Sequence, residues 1–243
     1  MYTLVDCCSD FVLLNKDPGI GFHSERFQIG LVDAIRGEMG LRELYPVHRL
    51  DKVTSGLILL AAGRRRAREL AGQFRSRSVE KYYLAVSDRR PKKKQGSVIG
   101  DMAPSRRGSW KLLRSAAKPA ETQFFSRAFR GGLRCFLLRP LTGRTHQLRV
   151  ALKSLGSPVL GDPAYYRSSL EREDVDRCYL HAYALRFRID DRLLSYSCNP
   201  HRGSVFTDSD FLQVLAGFKT PWNLSWPRAK TVQSIEREPL VSE

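Results

Sequence analysis

The sequence is short of several things, and each shortage closes a class. Its five cysteines, Cys7, Cys8, Cys135, Cys178 and Cys198, form no CxxC pair and no Cys/His spacing of a zinc site. A disulfide scaffold or a zinc module is excluded on that count, and reduced thiols in a cytosolic compartment fit best. No apolar run is long enough to span a bilayer, and the N-terminal stretch lacks a basic segment followed by a signal-type apolar core. The expectation is a soluble, cytoplasmic protein with no membrane partner. There is no GxGxxG or P-loop pattern, no internal repeat and no second-domain boundary. Acidic residues are also scarce: 25 Asp+Glu stand against 41 Lys+Arg, a formal net charge of +16. That imbalance favours a polyanionic partner, nucleic acid foremost, through phosphate contacts and counterion release. With 243 residues, 42% hydrophobic and 10% aromatic, the chain can bury the core of one large domain and is not disordered.

What is present is concentrated in one place. His48-Arg49-Leu50-Asp51-Lys52-Val53-Thr54-Ser55-Gly56 runs directly into the apolar Leu57-Ile58-Leu59-Leu60-Ala61. The apolar run reads as a buried strand, and the polar group at its mouth is placed as active-site loops are, on a rigid scaffold. Asp51 is the expected chemical centre.

In chain order, Phe11 to Lys16 reads as a strand, Asp17 to Gly21 as a structural turn, and Ile29 to Met39 as a helix. A second helix, Arg64 to Ser76, has Ala67, Leu70, Ala71 and Phe74 on one face and arginines on the other, a solvated face or a phosphate-binding one. Val79 to Val86 is a strand, Arg89 to Lys94 a charged loop, and Gly96 to Gly108 a mobile Gly/Ser/Pro-rich hairpin or insertion. Glu121 to Phe129 and Leu133 to Pro140 form a hairpin around Gly131-Gly132. Gly143 to Gly156 is read as one helix, Ser157 to Pro163 as a loop, and Ser168 to Arg177 as a charged surface segment. A strand or short helix at Tyr179 to Phe187, a hairpin strand at Leu193 to Ser197 and a helix at Phe211 to Phe218 precede a polar, frayed tail. The sum is α+β: a mixed, largely antiparallel sheet with flanking helices.

A second polar island, Gly143 to Arg149, stands out in apolar surroundings. Asp51 stays ionised in a buried site only with a cation or donors beside it, and Arg149, between Leu148 and Val150, needs a compensating charge. The two are expected to pair, either as a working site or as a stabilising ion pair alone. The islands also offer His48, Thr54, Arg144, His146 and Gln147 as candidates for substrate binding. As metal ligands or bases, His48, His146 and His181 lack both ligand spacing and an acidic partner, so structural or supporting roles are expected. Thr54 and Ser55 are read as capping or orienting the Asp51 loop. Ser55 lacks the elbow of a serine nucleophile, and no carboxylate cluster accompanies Asp51 as a metal nuclease would require.

His48 to Ala61 resembles the HRLDxxTSGLLLxA signature of the RluA family of RNA pseudouridine synthases. The resemblance continues through Leu13 to His23 ("vvnKPaGlvvH" in the family), Glu80 to Val86 ("KxYxA"), Pro140 to Tyr166 ("pxTGRtHQiRvHlaxlGhPilGDxxY") and Leu180 to Phe187 ("LHAxxLxF"). It implies the pseudouridine synthase fold with a central active-site cleft, in one catalytic domain over residues 1–243. The core of that domain would span about residues 11 to 200, with a C-terminal extension over 207–243. No room precedes Phe11 for the small S4-like RNA-binding domain of some relatives.

The implied reaction needs no cofactor and no metal. Uridine in ribosomal or transfer RNA becomes pseudouridine through N1–C1′ cleavage, rotation of the base and C5–C1′ bond formation. Asp51 would be the catalytic aspartate, Arg149 its partner, and Tyr83 the ring that stacks on the base and assists loss of the C5 proton. Arg49 would fill the space left by the flipped nucleotide. Tyr82, on the opposite face of its strand, is expected to be plain core. Ala151, where the family often has His, and Asp17, inserted between Lys and Pro, depart from the pattern without touching these positions. RNA would lie on the basic surface, including Arg64 to Arg66 and Lys92 to Lys94, bound by a monomer. The competing reading is a non-catalytic RNA-binding or RNA-folding protein that keeps the fold.

Overall fold

A computed structural model of the chain describes residues 1–21, 30–167 and 175–227. The strands are β1 (Tyr2–Cys7), β2 (Phe11–Lys16), β3 (Leu44–Pro46), β4 (Ser55–Ala62), β5 (Glu80–Ser87), β6 (Gln95–Gly100), β7 (Met102–Pro104), β8 (Trp110–Leu112), β9 (Ala120–Ala128), β10 (Arg134–Pro140), β11 (Leu180–Ile189) and β12 (Arg192–Ser197). The helices are α1 (Leu31–Met39), α2 (Arg64–Arg75), α3 (Gln147–Ser154) and α4 (Ser209–Ala216). Among the described residues, ten strands form one sheet in the order β1-β2-β4-β11-β5-β10-β9-β6, with β12 beside β11 and β3 beside β4, while β7 and β8 pair separately. Every pairing is antiparallel except that of β11 with β4. The fold is α+β with a mixed, largely antiparallel sheet.

The unbroken apolar run after Gly56 is explained by cover on both sides of β4. Ile58 and Leu60 pack with Leu31, Val32 and Ile35 of α1, while Leu57, Leu59 and Ala61 pack with Leu70 of α2 and Phe187. Such a strand has no solvent face on which to place a polar residue. In β5 the alternation decides fates. Tyr82 is fully buried with Phe206 and Phe211 on the α4 side, whereas Tyr83 lies against the clusters built on α1 and on α3. Tyr82 is core, as expected.

One crossing aligns the site. His181 and Ala182 run parallel to Ser55 and Gly56, and Ala182 is in turn opposite Tyr83. Gly56 has φ 109°, and a Cβ there would sit 2.3 Å from the Ala182 carbonyl oxygen, so only glycine lets the backbones approach. The crossing sets the turn that carries Asp51 a sheet position or two from Tyr83.

Several sequence readings need correction. α3 begins at Gln147 rather than Gly143, because Gly143 to His146 are held in a turn by side-chain bonds described below. Gly96 to Gly108 contains the edge strand β6, paired with β9, and the first strand of the β7–β8 hairpin, in line with the hairpin reading. Tyr179 to Phe187 resolves as a strand, and β1 and β3 carried too little apolar patterning to be read. The expected helix start at Ile29, most of the charged segment at 168–177 and the tail from 228 lie outside the described residues. Among the described residues no helix is long and apolar enough to cross a membrane.

Candidate active site

Asp51 ends the loop before β4, in a turn closed by the Thr54 N–H donating to its carbonyl at 2.9 Å. The turn is braced from behind by Lys16. This buried side chain donates to the carbonyl oxygens of Asp17 (2.8 Å), Ile20 (3.1 Å) and Lys52 (3.3 Å). Burial, with Arg177 nearby, lowers its pKa to about 8. The Asp17-Pro18-Gly19 turn is therefore a structural brace, as read from its composition. The inserted Asp17 is accounted for by Arg202, 3.2 Å away, and by the N-terminal amine at 3.4 Å.

His48 fixes the other end of the loop. Its Nε2 accepts the Leu59 N–H at 2.8 Å and its ring stacks on Phe74 with centroids 4.6 Å apart. Burial, reinforced by Lys81, pushes its pKa down to about 3, so the ring is neutral. Ser55 turns away from Asp51, contrary to the expected orienting role. It accepts from Arg177 Nη2 at 2.6 Å and meets His181 Nδ1 at 2.8 Å, while His181 Nε2 donates to the Cys198 carbonyl. His181 is thus a buried cross-brace of β4 and β11.

From the opposite wall, α3 delivers Arg149. Its Nη1 donates to Asp51 at 3.1 Å, while Nε and Nη2 each donate to Asp162 at 2.7 Å. Burial opposes the charge, but the bonds and charges of Asp162 and Asp51 outweigh it and raise the pKa of Arg149. Asp162 is fully buried and also accepts the Ala164 and Tyr165 N–H groups. It was read only as part of a loop. The signal that could have marked it is the Gly161-Asp162 pair, since Gly161 (φ 71°) has no room for a Cβ, which would lie 2.0 Å from the Arg177 carbonyl oxygen.

The turn before α3 is built around Gln147. Its Oε1 accepts from Thr142 Oγ1 (2.7 Å) and the Arg144 N–H (2.9 Å), and its Nε2 donates to the Glu121 carbonyl (2.9 Å) and Thr122 Oγ1 (3.0 Å). Both ends of the amide are committed, so Gln147 shapes the cleft and has no donor left for a ligand. His146 takes a left-handed backbone (φ 56°), a strained choice for a non-glycine residue that suits a site. Its Nδ1 is 2.9 Å from Tyr165 Oη, which itself accepts the Trp110 N–H at 2.7 Å. With the Tyr165 hydroxyl donating to Nδ1, the imidazole proton would sit on Nε2, which lies 3.9 Å from Asp51. Burial and the neighbouring Arg149 lower the pKa of His146, consistent with a neutral ring that donates from Nε2.

These groups line a cleft of about 550 Å³ whose walls include Arg49, Asp51, Thr54, Tyr83, Arg144 and His146. Tyr83 is enclosed, and burial together with the charge of Asp51 raises its pKa, so its hydroxyl stays protonated. Thr54 is buried, and Arg49 and Arg144 are exposed at the rim. The arrangement places an ion-paired carboxylate and an aromatic ring in the walls of one cleft, with donors around them.

A family model described as RNA pseudouridylate synthase matches residues 10–154, more than half of the chain. The chain belongs to the RNA pseudouridylate synthase family. It is 45% identical over 198 residues to a Haemophilus influenzae protein named "Uncharacterized RNA pseudouridine synthase", covering 82% of this chain and 87% of that one. It is 34% identical over 200 residues to the Pasteurella multocida "Dual-specificity RNA pseudouridine synthase RluA", covering 78% and 89%. Longer relatives match as well: at 36% identity the chain spans 29% of the mouse "Pseudouridylate synthase RPUSD2". Among solved structures, human RNA pseudouridylate synthase domain containing 1 superposes with a TM-score of 0.69 at 26% identity, covering 82% of this chain and 84% of that one. The pseudouridine synthase is therefore an isomerase by family, and its fold is the family's.

The remaining site expectations divide. Arg64 to Arg66 do not line the cleft. Arg64 and Arg65 face Glu43 and Glu69, and the buried Arg66 holds Asp10, Glu69 and Asp190. Lys92 to Lys94 are also absent from its walls, whereas Arg75, Arg77 and Lys81, which the sequence did not single out, line it.

Proposed function

We propose that this protein isomerises specific uridines in structured ribosomal or transfer RNA, with Asp51 as the catalytic carboxylate. The observation that carries the reading is the Arg149 bond to Asp51 in a cleft whose facing wall is Tyr83. A uridine inside a stacked strand cannot reach Asp51, so the nucleotide must be flipped into the cleft. Arg49, exposed at the rim, takes the vacated place in the stack, where its planar guanidinium offsets part of the unstacking cost.

Arg149 keeps Asp51 ionised and aims it; Asp162 keeps Arg149 charged and still. The N1–C1′ bond breaks, the uracil turns on the Tyr83 ring without leaving, and C5 bonds to C1′; the C5 proton then passes to a base in the cleft and on to water, and N1 takes up one proton in exchange. Atoms and electrons balance within one nucleotide, so no redox partner or cofactor enters. The Tyr83 ring is the platform on which the uracil turns, and its hydroxyl, held protonated by burial and the charge of Asp51, lies where it can assist the proton transfer from C5. His146 Nε2–H and Arg144 offer donors for the uracil carbonyls or the ribose, while His48, Thr54 and Gln147 hold the cleft's shape. The protein would act as a cytoplasmic monomer.

The test is tritium release from RNA labelled at uridine C5, with pseudouridine mapping of total RNA from cells with and without the gene. Wild type should release tritium, Asp51→Asn should not, and defined uridines should lose their modification with the gene. Tight RNA binding without tritium release by wild type would replace this reading with a non-catalytic RNA-binding role.

A further inference from the structure

The charges around the cleft do not cancel. Among its lining residues Asp51 is the one carboxylate, and it is taken by Arg149. Against it stand Arg49, Arg75, Arg77, Lys81 and Arg144. Some arginines elsewhere, Arg64, Arg65, Arg66, Arg139 and Arg186, lie within ion-pair distance of a carboxylate, and others among the described residues, such as Arg68 and Arg106, stand alone at the surface; what distinguishes the cations of the cleft is that they share one wall. Among the described residues Arg75, Arg77 and Lys81 have no such carboxylate.

These three cations are positioned rather than scattered. Arg77 has a left-handed backbone (φ 61°), held by the Ser78 N–H and by the Ser76 and Ser78 hydroxyls, all donating to the Gln73 carbonyl at the end of α2. Lys81 Nζ lies 5.9 Å from the centre of the Phe74 ring and beside Gly143 on the opposite wall. It is partly removed from water, and that burial, with Arg77 adding to it, lowers its pKa. Lys81 and Tyr83 are two residues apart on β5, so their side chains leave the same face about 7 Å apart. A cation at that spacing stands next to the ring on which the uracil lies.

We propose that Arg75, Arg77 and Lys81 form a subsite for successive backbone phosphodiesters of the RNA strand, flanking the nucleotide that enters the cleft. The subsite rests on the reading of the cleft as the place of uridine isomerisation. It supplies electrostatic grip without reading sequence, the usual division between phosphate and base contacts. It places the cations nearest the cleft at the C-terminal end of α2 and on the strand after it rather than in the arginine-rich first turn.

The experiment measures binding of a short single-stranded, uridine-containing oligoribonucleotide by fluorescence anisotropy across a salt series. Three proteins are compared with wild type: Arg75→Gln/Arg77→Gln/Lys81→Gln, the charge-matched Lys92→Gln/Lys93→Gln/Lys94→Gln, and Asp51→Asn. The cleft variant should weaken binding by about 10-fold or more at 0.1 M salt and flatten the slope of log K against log salt by about 2, at ~0.7 per lost contact. The Lys92–Lys94 variant should keep wild-type affinity and slope. Thermal melts check folding, and if the triple variant melts early, Arg77→Gln alone should flatten the slope by about 0.7. An unchanged slope in the cleft variants, or an equal loss in the Lys92–Lys94 variant, overturns the subsite. Asp51→Asn separates the two claims: intact binding without tritium release supports both. A wild-type protein that shows the predicted slopes but forms no pseudouridine sinks the catalytic reading and leaves the subsite standing.

Discussion

Arg66 and Arg149 are both buried guanidiniums that hold more than one carboxylate. Arg66, on α2, bonds Asp10 at 2.6 Å and Glu69 and Asp190 at 2.7 Å, tying the β1–β2 loop, its own helix and the β11–β12 hairpin together. Arg149, on α3, bonds Asp162 twice and Asp51 once. The difference lies in the carboxylates. Those of Arg66 do not line this cleft, whereas Asp51 lines it together with Tyr83. A buried arginine–carboxylate cluster is thus no mark of a site by itself; what matters is whether one acceptor is left facing open space.

The comparison can be broken by substitution, beginning where the largest effect is expected. Asp51→Asn keeps the shape of the side chain and removes its charge, so it should lower kcat by at least about 10³-fold with little change in Tm, read by tritium release and thermal melting. Asp162→Asn leaves Arg149 buried with half its partners gone. It should cost about 3–5 kcal/mol in urea unfolding and also reduce kcat, because Arg149 then no longer aims Asp51. Arg66→Met should lower Tm by about 2–8 °C while the folded protein keeps its kcat. If Arg66→Met lowers kcat as far as Asp162→Asn does, the two clusters are not different in kind.

The smallest effect sharpens the same contrast through two histidines. His48 borders the cleft and His181 braces the scaffold, and burial lowers both pKa values to about 3. Since the folded values lie below the unfolded value of about 6.5, the unfolded chain takes up protons first as pH falls. The stability contributed by the neutral rings is complete above about pH 6.5 and is lost as pH falls toward 3. Each ring should contribute a slope of ~1.4 kcal/mol per pH unit in that window. Urea titrations between pH 6.5 and 5, before most carboxylates titrate, should show His181→Asn removing one ring's contribution, about 1 kcal/mol per pH unit averaged over that window. An unchanged slope would mean that His181 is not held neutral by the fold.

Legibility followed the range of the signal. The apolar run after Gly56 could be read as a strand covered on both sides, and alternation separated Tyr82 from Tyr83, because burial patterns repeat within a few residues. The Arg149–Asp51 pair was inferable because a charge inside an apolar helix face needs compensation. Gly143 to Gly156, by contrast, carried a helical apolar period that ran past the true start, where Gln147 and Thr142 capture the backbone in a turn. Arg64 to Arg66 read alike as a basic patch, yet Arg66 is buried among Asp10, Glu69 and Asp190 while Arg64 and Arg65 stay exposed.

The sequence alone therefore determined the covered strand, the polar loop at its mouth, the sheet-rich α+β class and the membership of Asp51, Tyr83 and Arg149 in one family pattern. Only the tertiary structure decided that Asp162 holds Arg149, that Lys16 braces the Asp51 turn through three carbonyls, and that Arg75, Arg77 and Lys81 have no carboxylate partner among the described residues. The physical reason is that burial is written in local periodicity. The choice of hydrogen-bond and ion-pair partners depends on which distant segments the β4–β11 crossing brings within 3 Å of one another, and no local pattern carries that information.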